Sequence, residues 1–146
     1  MTTSLLLDRT TNDLCLDAGG NLAICTEPYS IIQDVACACS VMAGDLWYDT
    51  AVGLPYKTAI LGQNPPLAFL KQQFVDAALT VPGVVAAVCY ISSTANREIT
   101  GQVQVKTSAG GSGVVSLNGA SPPTVLAAVT DTGLFGVDSQ GFQITT

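Results

Sequence analysis

Alternating apolar and polar positions near the start of the chain predict a β-hairpin. Leu14 and Leu16 fall on one face of a first strand, and Leu22 and Ile24 fall on one face of a second. The intervening residues 18–21, Ala-Gly-Gly-Asn, tolerate the positive φ angles that a tight turn requires. We therefore expect the two strands to pair directly through this turn.

A helical pattern follows the hairpin. Residues 26–28, Thr-Glu-Pro, suit a helix start, and Ser30 with Gln33 has the spacing of a capping box. One apolar stripe then recurs at helical spacing and comprises Ile32, Val35, Ala36, Cys39, Met42 and Ala43. Gly44 fits the end of this helix.

The next segment, 45–56, is aromatic, polar and punctuated by glycine and proline. It predicts a short strand that enters an ordered loop, followed by a short helical turn over 57–61. A second helix is predicted from Asn64 as cap residue, with prolines directly after it. Its stripe comprises Leu67, Leu70, Phe74, Ala77, Ala78 and Val81, and Pro82-Gly83 ends it.

Two strands are expected next. Residues 84–93 are rich in β-branched and aromatic side chains, and 99–107 alternate between an apolar and a polar face. Such a pair places one face on a core and leaves the other free. Residues 108–113, Ser-Ala-Gly-Gly-Ser-Gly, have the composition of a flexible linker.

The residues after this linker hold short strand-like pieces at 114–117, 125–129 and 142–144, with Asp131 and Asp138 as their only charges. They are too few for a core of their own, so we expect them to pair with the main domain or with a neighbouring subunit. The pattern predicts an α+β fold with two main helices packed on a small, mostly antiparallel sheet and a β-rich C-terminal extension. The expected domains are 1–107, the linker 108–113 and the extension 114–146.

Charge is scarce along the chain. Only 11% of the 146 residues are charged, and five Lys and Arg against eleven Asp and Glu give a net charge of −6. Five scattered cations do not form the basic stripe that nucleic-acid binding needs. The uncharged stretch 77–96 is broken by Pro82-Gly83, so we expect no membrane span. So little charge favours a surface covered by partner subunits, with a merely low-charge or secreted domain as the alternative.

Candidate chemistry is sparse. The chain has no His, and its five cysteines lack the spacing of a metal site, so we expect small core side chains, no metal and no cofactor. Because no secretion signal is visible, we expect the thiols to be reduced. Paired carboxylates leave one enzymatic alternative, a lysozyme-like cell-wall glycosidase. Its candidate acids are Glu27, Asp34, Asp45 and Asp49.

An interaction surface is the stronger candidate. Trp47, Tyr48 and Tyr56 cluster within ten residues, and Trp and Tyr favour interfaces because they bury much area while keeping a polar tip. Trp47 is equally compatible with a core position. The alternating strand at 100–107 could take an extra strand from another chain through its backbone groups.

The order of these elements and several motifs match a known family. The most specific motif is the segment 44–56, Gly-Asp-Leu-Trp-Tyr-Asp-Thr-Ala-Val-Gly-Leu-Pro-Tyr, followed further on by Val81-Pro82-Gly83-Val84. Supporting matches are Leu5-Leu6-Leu7-Asp8, Ala23-Ile24, Gln33-Asp34-Val35 and Ile60-Leu61-Gly62. From Leu5 to about Thr107, the chain resembles the gene-25-like baseplate wedge proteins of contractile-tailed phages, a family shared with tailocins and type VI secretion baseplates.

The resemblance implies a virion structural protein without enzymatic activity, located in the tail baseplate and assembled in the host cytoplasm. It implies a wedge that joins around the hub, strand exchange between neighbouring chains and a platform for the first sheath ring. The implied partners are other wedge proteins and the tail sheath protein, with hub or tube proteins as further candidates and about six copies around the tail.

The chain departs from the family at one motif. Many relatives carry Glu-Pro-Arg after the first helix to hold partner wedge helices, whereas this chain has Asp49-Thr50-Ala51. The loss of Pro and Arg favours an aromatic contact instead. The assembly interface is expected to comprise Asp45, Trp47, Tyr48, Asp49, Gly53, Pro55, Tyr56, Val103 and Val105.

Overall fold

The computed structural model describes residues 2–95, 98–118, 121–129, 136–137 and 143–144. Two α-helices, a short π-helical turn and several strands follow one another along the chain. In chain order the elements are β1 (Thr3–Leu5), β2 (Ile24–Thr26), α1 (Tyr29–Ser40), the π-helical turn (Tyr56–Ile60), α2 (Leu67–Leu79), β3 (Val84–Ser93), β4 (Thr100–Thr107), β5 (Ser112–Asn118), β6 (Ser121–Val129), β7 (Gly136–Val137) and β8 (Gln143–Ile144).

The main sheet is antiparallel throughout and has the strand order β3-β4-β5-β6. β1 pairs with β2, and β7 pairs with β8, in two further antiparallel pairs. Helix α1 packs on β5 and β6, and helix α2 packs on β3. The predicted α+β fold is confirmed.

The core lies between the helices and one face of the main sheet. Cys89, Val103, Val115 and Val125 are successive register partners across β3 to β6, so their side chains form one buried row. The helices contribute fully buried side chains to the same cluster: Ile31, Ile32, Val35, Cys39, Phe74 and Ala78. Burial of this apolar area stabilises the fold at roughly 25 cal/mol per Å².

The predicted capping box of α1 is wrong. Pro28 is the N-cap residue and no side chain caps the helix. Ser30 Oγ donates instead to the carbonyl oxygen of Thr2 at 2.9 Å. Gln33 donates to the carbonyl of Leu5 at 2.7 Å and accepts from the amide of Leu7 at 2.9 Å. These two side chains therefore fasten the N-terminal strand to α1.

The predicted helix ends also need correction. α1 ends at Ser40 because Val41 is extended, so Met42 and Ala43 lie beyond the helix. α2 begins at Leu67 rather than at Asn64, because Pro66 is its N-cap residue with an extended ψ of 140°. The stripe residues Leu70, Phe74, Ala78 and Val81 are buried as predicted, whereas Leu67 is exposed.

The N-terminal turn is confirmed. Asp17 Oδ1 accepts from the amides of Gly19 and Asn21, and Leu16 pairs with Leu22 across the turn. The predicted first strand of the hairpin is reduced to isolated bridges at Leu14 and Leu16. The second is β2, which also pairs with β1, and the sequence did not predict that pairing. The apolar side chains of the hairpin point away from the core. Ile24 is exposed, whereas its neighbour Cys25 is buried.

The expected free face of β4 is only partly exposed, since Lys106 is exposed whereas Gln104 is half-buried. Gln102 is almost fully buried between its register partners Tyr90 and Ser116. Because β3 and β5 occupy both edges of β4, a strand from another chain cannot pair with it in this arrangement.

Residues 108–113, predicted as a flexible linker, contain the turn of the β4–β5 hairpin and the start of β5. The amide of Thr107 donates to the carbonyl of Gly111 at 2.8 Å, and the amide of Ser108 donates to the carbonyl of Gly83 at 2.8 Å. The predicted pieces 114–117 and 125–129 fall within β5 and β6, which extend the main sheet. Phe142, Asp131 and Asp138 lie outside the described residues, and the division into domains stays a prediction.

Candidate assembly interface

The segment between α1 and the π-helical turn, residues 41–55, closes on itself; we call it the aromatic loop. The amide of Ala43 donates to the carbonyl of Leu54 at 2.8 Å, and the amide of Leu54 donates to the carbonyl of Val41 at 2.9 Å. Leu54 is 1% exposed and belongs to the core. The predicted short strand is absent from this described segment, apart from a single parallel bridge between Met42 and Leu54.

Gly53 makes this closure possible. Its φ is +115°, and a Cβ atom at this position would lie 2.7 Å from the backbone of Met42 and Ala43. Any side chain at position 53 would therefore clash with the backbone of Met42 and Ala43, and its own backbone would be strained. Gly44 has a φ of +94° with open space around it, so only its backbone conformation favours glycine.

The tip of the loop is held by a turn at Asp49. The Oδ1 atom of Asp49 accepts from the amide of Ala51 at 3.1 Å, and the amide of Gly44 donates to the carbonyl of Thr50 at 3.1 Å. Lys57 Nζ lies 2.6 Å from Asp45 Oδ1, and this exposed ion pair adds at most about 1 kcal/mol to the stability of the fold. Both acids therefore have structural roles in the loop.

Trp47 and Tyr48 stand out from this frame into solvent. Trp47 is 90% exposed and Tyr48 is 69% exposed, so a core position for Trp47 is wrong. Their ring centroids are 5.7 Å apart and the rings are perpendicular, which is a favoured arrangement for an aromatic pair. A partner that covers the pair would remove much apolar area from water.

Tyr56 faces the opposite way. Its hydroxyl donates to the carbonyl of Cys39 at 2.9 Å, and its ring lies 6.4 Å from that of Phe74. Burial raises the pKa of the Tyr56 hydroxyl well above its usual range. Tyr56 therefore joins the loop to the core instead of presenting itself to a partner.

The nine expected interface residues thus fall into three groups. Asp45, Trp47, Tyr48 and Asp49 are exposed in the aromatic loop, whereas Gly53, Pro55 and Tyr56 are half-buried in its frame. Val103 and Val105 are core residues of β4, because their side chains point to the helices. The structure brings the first two groups together and separates the third from them.

The cysteines do not form a metal centre in the part of the chain that the structure describes, where no group of three or more potential ligands is placed to hold an ion. Cys25, Cys39 and Cys89 are buried, as expected of core side chains, whereas Cys37 is exposed on α1 and Cys15 is half-buried. Burial raises the pKa of Cys39 and of Cys89 to about 12, so both thiols stay protonated near neutral pH.

The four carboxylates considered for glycoside hydrolysis each have a structural partner. Hydrogen bonds from Thr2 lower the pKa of Glu27, the opposite of the raised pKa that a general acid needs. The partners are Thr2 for Glu27, Ser4 for Asp34, Lys57 for Asp45 and Ala51 for Asp49.

Two exposed features escaped the sequence prediction. β3 is an edge of the main sheet as described, with Val85 and Val88 about half exposed. The N-terminal hairpin also turns its leucines outward, although their alternation was visible. Alternation shows that two residues share a face, but it does not show which face meets the core. Among the described residues, neither helix is long and apolar enough to cross a membrane.

The fold is that of a small α+β domain that exposes an aromatic pair on one loop. The model of one family, the contractile injection system sheath initiators, matches residues 3–110. Because this match covers most of the chain, the chain belongs to that family, and the resemblance to gene-25-like baseplate wedge proteins is confirmed. None of the curated proteins matches the chain. The protein is therefore a structural component of a contractile tail baseplate with a role in sheath initiation.

Proposed function

We propose that this chain joins the baseplate wedge around the hub and serves as the template on which the first ring of sheath subunits is laid. About six copies form a ring that matches the symmetry of the tail. The contacts are with other wedge proteins, with the sheath protein and with hub or tube proteins. Assembly takes place in the host cytoplasm, where reduced cysteines such as the buried Cys39 and Cys89 are expected.

The exposed Trp47–Tyr48 pair carries this proposal. A loop closed by backbone hydrogen bonds and anchored through Leu54 presents the two rings without a cover. A preformed surface loses little conformational entropy on binding, so more of the burial energy remains as affinity. In our proposal the pair grips a neighbouring wedge protein, in place of the salt-bridged contact that Glu-Pro-Arg makes in relatives.

The sheath contact is assigned to β3 rather than to β4. β3 is ten residues long and lies at the edge of the main sheet as described, so its outer backbone groups can pair with a strand from another chain. The exposed Val85 and Val88 offer apolar side chains beside that edge. Such pairing is consistent with strand exchange between neighbouring subunits.

Tails assembled without this chain test the proposal. We expect electron microscopy to show tubes that lack an ordered first sheath ring, and the intact chain supplied in trans should restore it. The double variant Trp47→Ala and Tyr48→Ala should fail to restore it, because the wedge contact is lost.

The control is Leu79→Ala, which removes an exposed apolar side chain at the last residue of α2 and leaves the aromatic loop unchanged in sequence. It should restore sheathed tails as well as the intact chain does. Normal sheaths on tails without the chain would contradict the initiating role. Normal restoration by the double variant would contradict the assignment of the wedge contact to the aromatic pair.

A further inference from the structure

A second apolar surface lies on the N-terminal hairpin, outside the aromatic loop. It comprises Leu5, Leu14, Leu16, Leu22 and Ile24, which are 45 to 68% exposed, and we call it the N-terminal patch. Leu5 pairs with Ile24 in the β1–β2 register, and Leu16 pairs with Leu22 across the turn. Leu22 and Ile24 lie two residues apart in one extended segment, and Leu14 and Leu16 lie two residues apart in the segment bridged to it. Their side chains therefore share one exposed face.

The hairpin that presents this face is well held. Gln33 and Ser30 on α1 bind backbone groups in and beside β1, β1 pairs with β2, and Cys25 of β2 is buried. Five apolar side chains that are each about half exposed on one face form a contiguous patch, and such patches mark interaction sites more often than singly scattered apolar residues do. The outward orientation of the patch is therefore a feature of the folded chain.

The charged side chains near the patch indicate the chemistry of a partner that would fit it. The first 34 residues hold five of the eleven acidic side chains of the chain and one of its five basic ones. Asp13 and Asp17 directly flank the segment that carries Leu14 and Leu16, and we call these two acids the acidic rim. The single basic side chain, Arg9, lies over the ring of Tyr29 at 5.2 Å.

We propose that the N-terminal patch binds an apolar segment of another protein whose flanking residues are basic. The acidic rim disfavours an anionic lipid surface and disfavours a second copy of the same patch, because both bring negative charge to negative charge. A segment with apolar side chains and basic flanks would bury the exposed leucines and would pair its positive charges with the acidic rim. This inference does not depend on the proposed role of the aromatic loop.

The probe is a synthetic amphipathic helix with one leucine face and lysines elsewhere, titrated into the full chain and followed by fluorescence anisotropy. A twin peptide has glutamate at every lysine position. We expect the lysine peptide to bind at least about tenfold more tightly than its twin at low salt, with the difference shrinking as salt rises. Failure of the lysine peptide to bind, or equal binding by both peptides, would overturn the proposal.

Two matched variants distinguish binding of the lysine peptide at the N-terminal patch from nonspecific attraction of a basic peptide to an acidic protein. The double variant Leu16→Gln and Ile24→Gln should weaken binding of the lysine peptide about tenfold, because two exposed apolar contacts are lost. The control, Leu61→Gln and Leu79→Gln, changes two similarly exposed side chains elsewhere and should stay within about twofold. Equal effects of the two variants would show that the patch is not the site.

The rim is tested by Asp13→Asn with Asp17→Asn. Asparagine keeps the Oδ1 acceptor for the amides of Leu14, Gly19 and Asn21, so the turns are retained while the charge is lost. Binding of the lysine peptide should weaken severalfold, and unchanged binding would contradict the charge argument. Two further results would contradict the choice of partner: binding of the chain to phosphatidylglycerol vesicles, or formation of a dimer in sedimentation experiments. Either result counts against the proposal if the double variant Leu16→Gln and Ile24→Gln abolishes that binding or that dimer.

Discussion

Phe74 and Trp47 show two uses of an aromatic side chain in one small fold. Phe74 lies on α2, is 1% exposed and packs near Tyr56 in the core. Trp47 lies in the aromatic loop and is 90% exposed, although the loop is anchored to that same core through Leu54. The contrast indicates that the core is packed without the largest side chain of the chain, which lies in solvent.

The two regions also differ in what orders them. Helices and a sheet surround Phe74, and its burial follows from their apolar stripes. The aromatic loop depends on a few backbone hydrogen bonds and on Gly53, where no side chain fits. Substitutions in the two regions should therefore fail in different ways.

The largest loss of stability is expected for Phe74→Ala. Removing this buried ring leaves a cavity between α2 and its neighbours, so the free energy of unfolding should fall by about 3–5 kcal/mol. Urea denaturation followed by circular dichroism measures the change. Phe69→Ala, on the same helix but partly exposed, should cost far less. Similar losses for both variants would break the distinction between core and surface aromatics.

Gly53→Ala should cost about 3 kcal/mol, from the strained φ and the contact of its Cβ with the backbone of Met42 and Ala43. Gly44→Ala shares the positive φ without the contact, so it should cost only about 1 kcal/mol. Thermal unfolding of the two variants side by side gives the difference. Equal losses would show that the loop does not depend on the close approach at Gly53.

Gln33→Leu tests how the N-terminal strand is fastened to α1. The change leaves the carbonyl of Leu5 and the amide of Leu7 without their buried partner, which should cost about 2 kcal/mol. Gln72→Leu, exposed on α2, should change stability by less than about 0.5 kcal/mol. Hydrogen exchange at Leu7 should speed up in the first variant only, and unchanged exchange would contradict the fastening role.

Much of the helix–sheet region could be predicted from the sequence. The α1 stripe through Ile32, Val35 and Cys39 and the strands β3 and β4 follow from periodicity, which reports local geometry directly. The roles of Ser30 and Gln33 could not be predicted, because their partners lie 28 and 26 to 28 residues away in sequence. The same spacing of Ser30 and Gln33 is compatible with a capping box and with hydrogen bonds to a distant strand, so the local sequence does not distinguish the two.

The candidate site was only half predictable. Composition singled out Trp47 and Tyr48, but whether they lie inside or outside depends on how residues 41 and 54 meet. The Gly-rich segment 108–113 presents a similar case, since glycine suits both a linker and the turn of a hairpin. Strand order then placed Val103 and Val105 in the centre of the sheet, and sequence alternation alone does not give strand order.

Trp47→Ala should have the smallest effect on the isolated chain, and it tests the central claim most directly. The free energy of unfolding should change by less than about 0.5 kcal/mol, because the side chain is already in water. Affinity for the neighbouring wedge protein, measured by titration calorimetry, should fall by about 2 kcal/mol or more. Full affinity in the variant, or a loss of folding instead of a loss of affinity, would contradict the account.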